Sequence, residues 1–162
     1  VSIKNYIHMI DKKTAYMIGL AAEIGAISAR ADKKTSKAIR DYGRLLGRAF
    51  QIQDDYLEIF SDSKNMGKSL DSDIILEKKT FLMIHALDKN RVKIQTSINT
   101  VKEDYTSGIK GIREYMQTSG ILDKTRKEVN NIIESAGTKL NKLDINQEKL
   151  LYFSEMIRRR GH

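Results

Sequence analysis

The 162 residues contain no cysteine and no proline. Without cysteine there is no disulfide, no thiolate metal site and no thiol nucleophile. Without proline the strongest helix breaker is missing, so long uninterrupted helices become the default expectation. No run of apolar residues approaches the length of a membrane span, and the first residues do not read as a signal peptide, so a cytoplasmic protein is expected.

What is present is ordinary for a globular chain. Hydrophobic residues make up 40% and charged residues 31%, which is too apolar for disorder. The length suits one domain with a real core, so residues 1–162 are expected to form a single all-helical domain. The formal charge is +8, from 29 Lys and Arg against 21 Asp and Glu. That balance favours an anionic partner such as nucleic acid, a membrane surface or a phosphorylated small molecule. The basic residues are spread along the whole chain, and solvated helix faces account for most of them.

Apolar residues recur at helical spacing nearly throughout, with no strand pattern and no repeat. A first helix is expected from about Lys12 to Ala31, with Ala15, Ile18, Ala22, Gly25, Ala26 and Ala29 along one side. Small residues there let a neighbouring helix come close. Asp32-Lys33-Lys34-Thr35 reads as a turn that supplies the next N-cap. A second helix is expected over Ser36–Phe60, its inner stripe running Ile39, Tyr42, Gly43, Leu46, Phe50, Asp54, Leu57 and Glu58. Ser61–Ser72 reads as a polar loop. Further helices are expected over Asp73–Asn90, Arg91–Tyr105, Ile109–Thr118, Leu122–Leu143 and Gln147–Arg159, with Gly108 and Gly120 near the breaks. The fold class is all-α, a helical bundle.

Asp54-Asp55-Tyr56-Leu57-Glu58 is the strongest chemical clue. On a helix Asp54 and Glu58 lie one turn apart on the same side, and the apolar stripe carries Asp54 inward. Carboxylates crowded on an inward face repel one another and lose hydration unless cations compensate. Either the helix end is exposed and the three acids are solvated, or they serve a hard divalent ion such as Mg²⁺.

The residues around this cluster resemble the trans-isoprenyl diphosphate synthases, the polyprenyl synthetase family. Phe50-Gln51-Ile52-Gln53-Asp54-Asp55-Tyr56-Leu57-Glu58 is similar to that family's second aspartate-rich region, FQxxDDxxD. Lys13-Thr14 matches its KT pair, Tyr42-Gly43 with Leu46-Gly47 and Ala49 matches the run leading into the aspartates, and Gly67-Lys68, Asp73-Ile74, Lys78 and Thr80 match the stretch that follows. The resemblance is clear over residues 1 to 90 and weaker beyond.

The resemblance implies the C-terminal half of an isoprenoid-synthase-type bundle, in a family that is usually homodimeric. It implies a trans-prenyltransferase that joins an allylic prenyl diphosphate head-to-tail with isopentenyl diphosphate, helped by Mg²⁺. By position, Asp54 would ligate the metal, and Asp55 and Glu58 would support it or hold its waters. Lys13, Lys68 and Lys78 would pair with the diphosphate as charge develops on it. Thr14 and Gln51 would face the reacting carbon. Read without the motif, each of these lysines is also an ordinary solvated residue, and Gln51 a helix–helix hydrogen bond. The basic tail Arg158-Arg159-Arg160-Gly161-His162 reads as solvated, although some members carry one near the homoallylic diphosphate. His8 and His85 have no partner at metal-ligand spacing.

The family's first aspartate-rich motif is absent, since Asp54-Asp55 is the only such pair. The expectation is therefore a chain inactive alone: a fragment, a split enzyme completed by another chain, or a non-catalytic accessory subunit of a heteromeric synthase. A start at Val1 without methionine favours the fragment. Association with the missing N-terminal half or a second copy is expected. A class I terpene cyclase shares the fold, but would carry a different second metal motif. Nucleic-acid binding would account for the charge but not for inward carboxylates, which repel phosphates.

Overall fold

A helix brings every third or fourth residue to one face, yet the buried positions early in the chain run Ile10, Ala15, Gly19, with one residue too many in the first step. The computed structural model, which describes residues 1–60 and 78–160, accommodates that residue in a π turn. Helix α1 (Ile3–Ile10) runs through Asp11–Ala15 into α2 (Tyr16–Ser28), and the Tyr16 amide donates to the Asp11 carbonyl five residues back. The expected first helix therefore starts earlier, at Ile3. Its small-residue side is shifted too: Ala15, Gly19 and Ala26 are buried, whereas Gly25 and Ala29 are exposed.

Helix α2 ends with Arg30 in the left-handed region (φ 58°), and the Ala31 amide donates back to Ala26 at 3.0 Å. Asp32 then caps α3 (Lys33–Phe60), accepting from the Thr35 amide at 2.7 Å. The cap falls in the expected turn, but on its first residue, so α3 begins three residues ahead of Ser36.

Helix α4 (Phe81–Glu103) starts after Thr80, whose hydroxyl accepts from the Met83 amide. Lys78–Thr80 are not helical, so the helix expected from Asp73 does not run unbroken into this one; residues 73–77 lie outside the described residues. The expected break between Asn90 and Arg91 takes the form of a kink, where Asn90 leaves helical geometry (φ −155°, ψ 86°) and its side chain accepts from the Lys93 amide. Helix α5 (Tyr105–Thr118) is capped by Asp104, α6 (Ile121–Leu140) follows Gly120 at φ 74°, and α7 (Glu148–Arg159) ends the described chain. Gly108, expected near a break, is instead buried inside α5. A Cβ there would stand 2.4 Å from the Val101 nitrogen, so this glycine lets α4 and α5 pack backbone to backbone. The described residues contain no strand, and none of their helices is long and apolar enough to cross a membrane.

The described residues fall into two compact units, Val1–Tyr6 with Asp54–Arg126, and Ile7–Gln53 with Lys127–His162. In the first, Leu82, Met83, Ile94, Ile98, Ile112 and Met116 are almost wholly buried. In the second, Ile10, Ala15, Tyr42, Ala49, Ile52 and Leu140 are. Each large apolar side chain withdrawn from water contributes roughly 1.5–3 kcal/mol.

Candidate functional site

In the second unit the π turn carries the Lys13-Thr14 pair. Three contacts hold it against α3. Thr14 donates from Oγ1 to Oε1 of Gln51 at 2.9 Å. Arg48 donates from Nε and Nη2 to both carboxylate oxygens of Asp11, at 2.9 and 2.7 Å. Ala15 sits so close to Gly47 that a Cβ on the glycine would lie 2.7 Å from the Ala15 Cα. Thr14 and Gln51, assigned by resemblance to the reacting carbon, are thus brought together. Lys13 is exposed beside them in sequence.

The acidic segment belongs to the last two turns of α3, in the first unit. Asp54 and Glu58 are half-buried, one turn apart, and Asp55 is buried. Asp55 Oδ2 accepts the Tyr6 hydroxyl at 2.6 Å and the Phe81 amide at 3.2 Å. The Tyr6 phenol is pushed far above its ordinary value, first by burial, then by the charge of Asp55 and the hydrogen bond to it, and then by the charge of Asp54. Nothing in the sequence reading pointed to Tyr6, although Ile3, Tyr6, Ile7 and Ile10 recur at helical spacing.

No three carboxylate or imidazole groups among the described residues gather tightly enough to enclose a metal. Two carboxylates one turn apart nonetheless suit Mg²⁺, which keeps several waters and takes one or two protein carboxylates alongside phosphate oxygens. The donor set therefore fits a shared ion better than a protein-only cage. Lys78 is exposed just ahead of α4. Lys68 lies outside the described residues.

The second unit also holds an apolar cavity of about 560 Å³, lined by Ile18, Leu46, Phe50, Phe153, Ile157 and Arg160 among others. Tyr42 ties α3 to α7 across this unit by hydrogen bonds to the Leu150 carbonyl and, at 3.0 Å, Ser154 Oγ. The tail expected to be solvated is not so at Arg160. Its guanidinium lies 4.6 Å over the Phe50 ring, and its carbonyl accepts from Gln53.

Residues 1–118 match the polyprenyl synthetase family. The geranylfarnesyl diphosphate synthase of Natronomonas pharaonis is 30% identical over 93% of this chain and 43% of its own length. The geranylgeranyl diphosphate synthase of Sulfolobus acidocaldarius is 34% identical over 97% of this chain and 50% of its own. Among solved structures, the polyprenyl synthase of Caulobacter crescentus in complex with calcium and isoprenyl diphosphate superposes with a TM-score of 0.86, at 29% identity, over 99% of this chain and 51% of that one. The chain thus spans about half the length of the relatives it matches or less.

Proposed function

The chain belongs to the polyprenyl synthetase family, and from that premise we propose that it forms half of a trans-prenyltransferase site, binding Mg²⁺ and an allylic prenyl diphosphate for head-to-tail condensation with isopentenyl diphosphate. In that reaction the allylic C–O bond breaks and diphosphate leaves with the electron pair. The isopentenyl double bond attacks the allylic cation, a C–C bond forms and a proton is lost. The observation that carries this reading is the pair of half-buried carboxylates, Asp54 and Glu58, one turn apart on α3 with the buried Asp55 between them in sequence. Calcium and isoprenyl diphosphate in the Caulobacter crescentus relative are a divalent cation and a diphosphate of the classes proposed here.

Asp54 and Glu58 would hold the metal, which when bound draws charge from the departing diphosphate. Asp55, tied to Tyr6 and Phe81, would orient that segment and support the site. Lys13, Lys68 and Lys78 would neutralise diphosphate oxygens as the C–O bond lengthens. Thr14 gives its proton to Gln51, which leaves the Thr14 oxygen free to turn lone pairs toward a developing cation. Arg160, held on Phe50, would meet the second, homoallylic diphosphate. The reading includes a homodimer, a cytoplasmic location, a single functional domain over residues 1–162, and no turnover by these residues alone, because one aspartate-rich segment supplies only part of a metal set.

The test is calorimetric titration of the chain with farnesyl diphosphate, with and without Mg²⁺, repeated on Asp54→Ala and Lys68→Ala. Binding that needs Mg²⁺ and is lost in both variants is expected. A folded chain that shows no Mg²⁺-dependent uptake of heat would sink the reading.

A further inference from the structure

The π turn has a mechanical consequence. In an unbroken α-helix the residue four after Ile10 is Thr14, and Thr14 would occupy the inward position that Ala15 takes. That position is filled to the limit, because Ala15 is wholly buried and its backbone touches Gly47. A branched side chain with a hydroxyl does not fit there. The extra residue turns Ala15 inward, leaves Thr14 half-buried toward Gln51, and leaves Lys13 exposed.

Packing at Ala15 alone does not say where the extra residue is absorbed. The start of the wide turn sets the directions in which Lys13 and Thr14 leave the helix. Asp11 stands at the first position of the π turn, and its carbonyl takes the five-back hydrogen bond from Tyr16. Its carboxylate is held at both oxygens by the fork of Arg48, a two-point contact that resists rotation as well as separation. The two side chains are 19% and 31% exposed, sheltered enough to be screened less than an open surface pair.

We propose that Asp11 and Arg48 are positioning residues whose two-point ion pair fixes where the π turn begins, and so how Lys13 and Thr14 are presented. The consequence for ligand binding rests on the diphosphate reading given above; the consequence for helix register does not. Lysine at position 48 keeps the charge but cannot grip both oxygens, so a purely electrostatic role would survive Arg48→Lys and a geometric one would not.

The experiment compares the chain with Arg48→Lys, Asp11→Asn and Lys13→Ala. It reads three things: the Thr14–Gln51 contact and Tyr16 amide exchange by NMR, Mg²⁺-dependent farnesyl diphosphate binding by calorimetry, and thermal midpoint. In Arg48→Lys and Asp11→Asn the Thr14–Gln51 contact is expected to weaken and the Tyr16 amide to exchange faster. Binding falls roughly ten- to hundredfold, as for a misplaced ligand group, while the thermal midpoint moves no more than loss of a partly exposed pair explains. Unchanged contact and exchange in both variants would overturn the proposal. So would unchanged binding in both when Lys13→Ala abolishes it. If Lys13→Ala binds as the parent does, the diphosphate role given to Lys13 fails, and the NMR readouts still decide the register.

Discussion

Tyr6 donates its phenolic proton to Asp55 at 2.6 Å, joining the first turns of the chain to the acidic end of α3. The two neighbouring aspartates are therefore unlike. Asp55 is buried and held by a hydroxyl and a backbone amide, whereas Asp54 is half-buried. Hydrogen bonds to a charged group are worth about 1.5–3 kcal/mol each, and Tyr6→Phe is expected to cost stability in that range, measured by urea denaturation at neutral pH.

The same pair sets an alkaline limit. Burial and the Asp55 carboxylate keep the folded Tyr6 phenol protonated well past its ordinary value of 10.0, while the unfolded chain loses that proton near it. The unfolded state then binds fewer protons, so stability that is complete below that value falls as pH rises through and beyond it. Unfolding midpoints followed into the alkaline range should decline in the parent and decline less steeply in Tyr6→Phe. Equal slopes would mean that the phenol is not the titrating group.

Two glycines inside helices predict opposite signs for one substitution. A Cβ at Gly108 would press on the Val101 backbone at 2.4 Å, and backbone cannot swing aside, so Gly108→Ala is expected to force α4 and α5 apart at about 1–3 kcal/mol. Nothing lies within 4 Å of the corresponding position at Gly137 in α6. Gly137→Ala is expected to stabilise by roughly 0.5–1 kcal/mol through reduced unfolded-state freedom. Thermal midpoints of the two variants, moving in opposite directions, check both.

His85 predicts an acid-side dependence. Burial against Phe81, and then the Lys124 ammonium 3.4 Å from Nδ1, hold the imidazole below its ordinary value of 6.5, with Asp88 opposing. The unfolded chain takes up this proton first, so the contribution of His85 to stability is lost as pH falls below that value. Lys124→Met is expected to raise the His85 titration midpoint in an NMR pH series and to lessen the loss. A parent midpoint at or above the ordinary value would contradict the account.

The helices and the acidic motif were legible in sequence because both are local. The stripe from Ile39 to Phe50 repeats at helical spacing, and Asp54 to Glu58 is contiguous. The kink at Asn90 and the break at Gly120 were marked by residues that favour them. What escaped was long-range or a matter of phase. Asp55 finds its partners 49 and 26 residues away, at Tyr6 and Phe81. Gly108 read as a breaker because the Val101 backbone it accommodates belongs to another helix. The π turn changes no residue type, only the step from Ile10 to Ala15, and a helix drawn from Lys12 begins past the point where that step shows.

The unlikeness of Asp54 and Asp55 gives the sharpest separation of structure from chemistry. Asp55→Ala leaves the Tyr6 hydroxyl buried without this acceptor, and an unsatisfied buried donor costs about 1–3 kcal/mol. Asp54→Ala removes a half-buried carboxylate beside another, relieving repulsion as it removes contacts, and is expected to shift stability by less than about 1 kcal/mol. For Mg²⁺-dependent diphosphate binding the order reverses. Asp54→Ala should abolish it in a chain that still unfolds at the parent midpoint, because a ligand cannot be replaced by a neighbour already committed to Tyr6. Asp55→Ala should retain weakened binding at temperatures where it remains folded, since it acts through the segment it anchors. Denaturation midpoints and calorimetric titrations of the two variants, run side by side, decide it; if Asp54→Ala lost stability and kept binding, the roles assigned to the pair would be wrong.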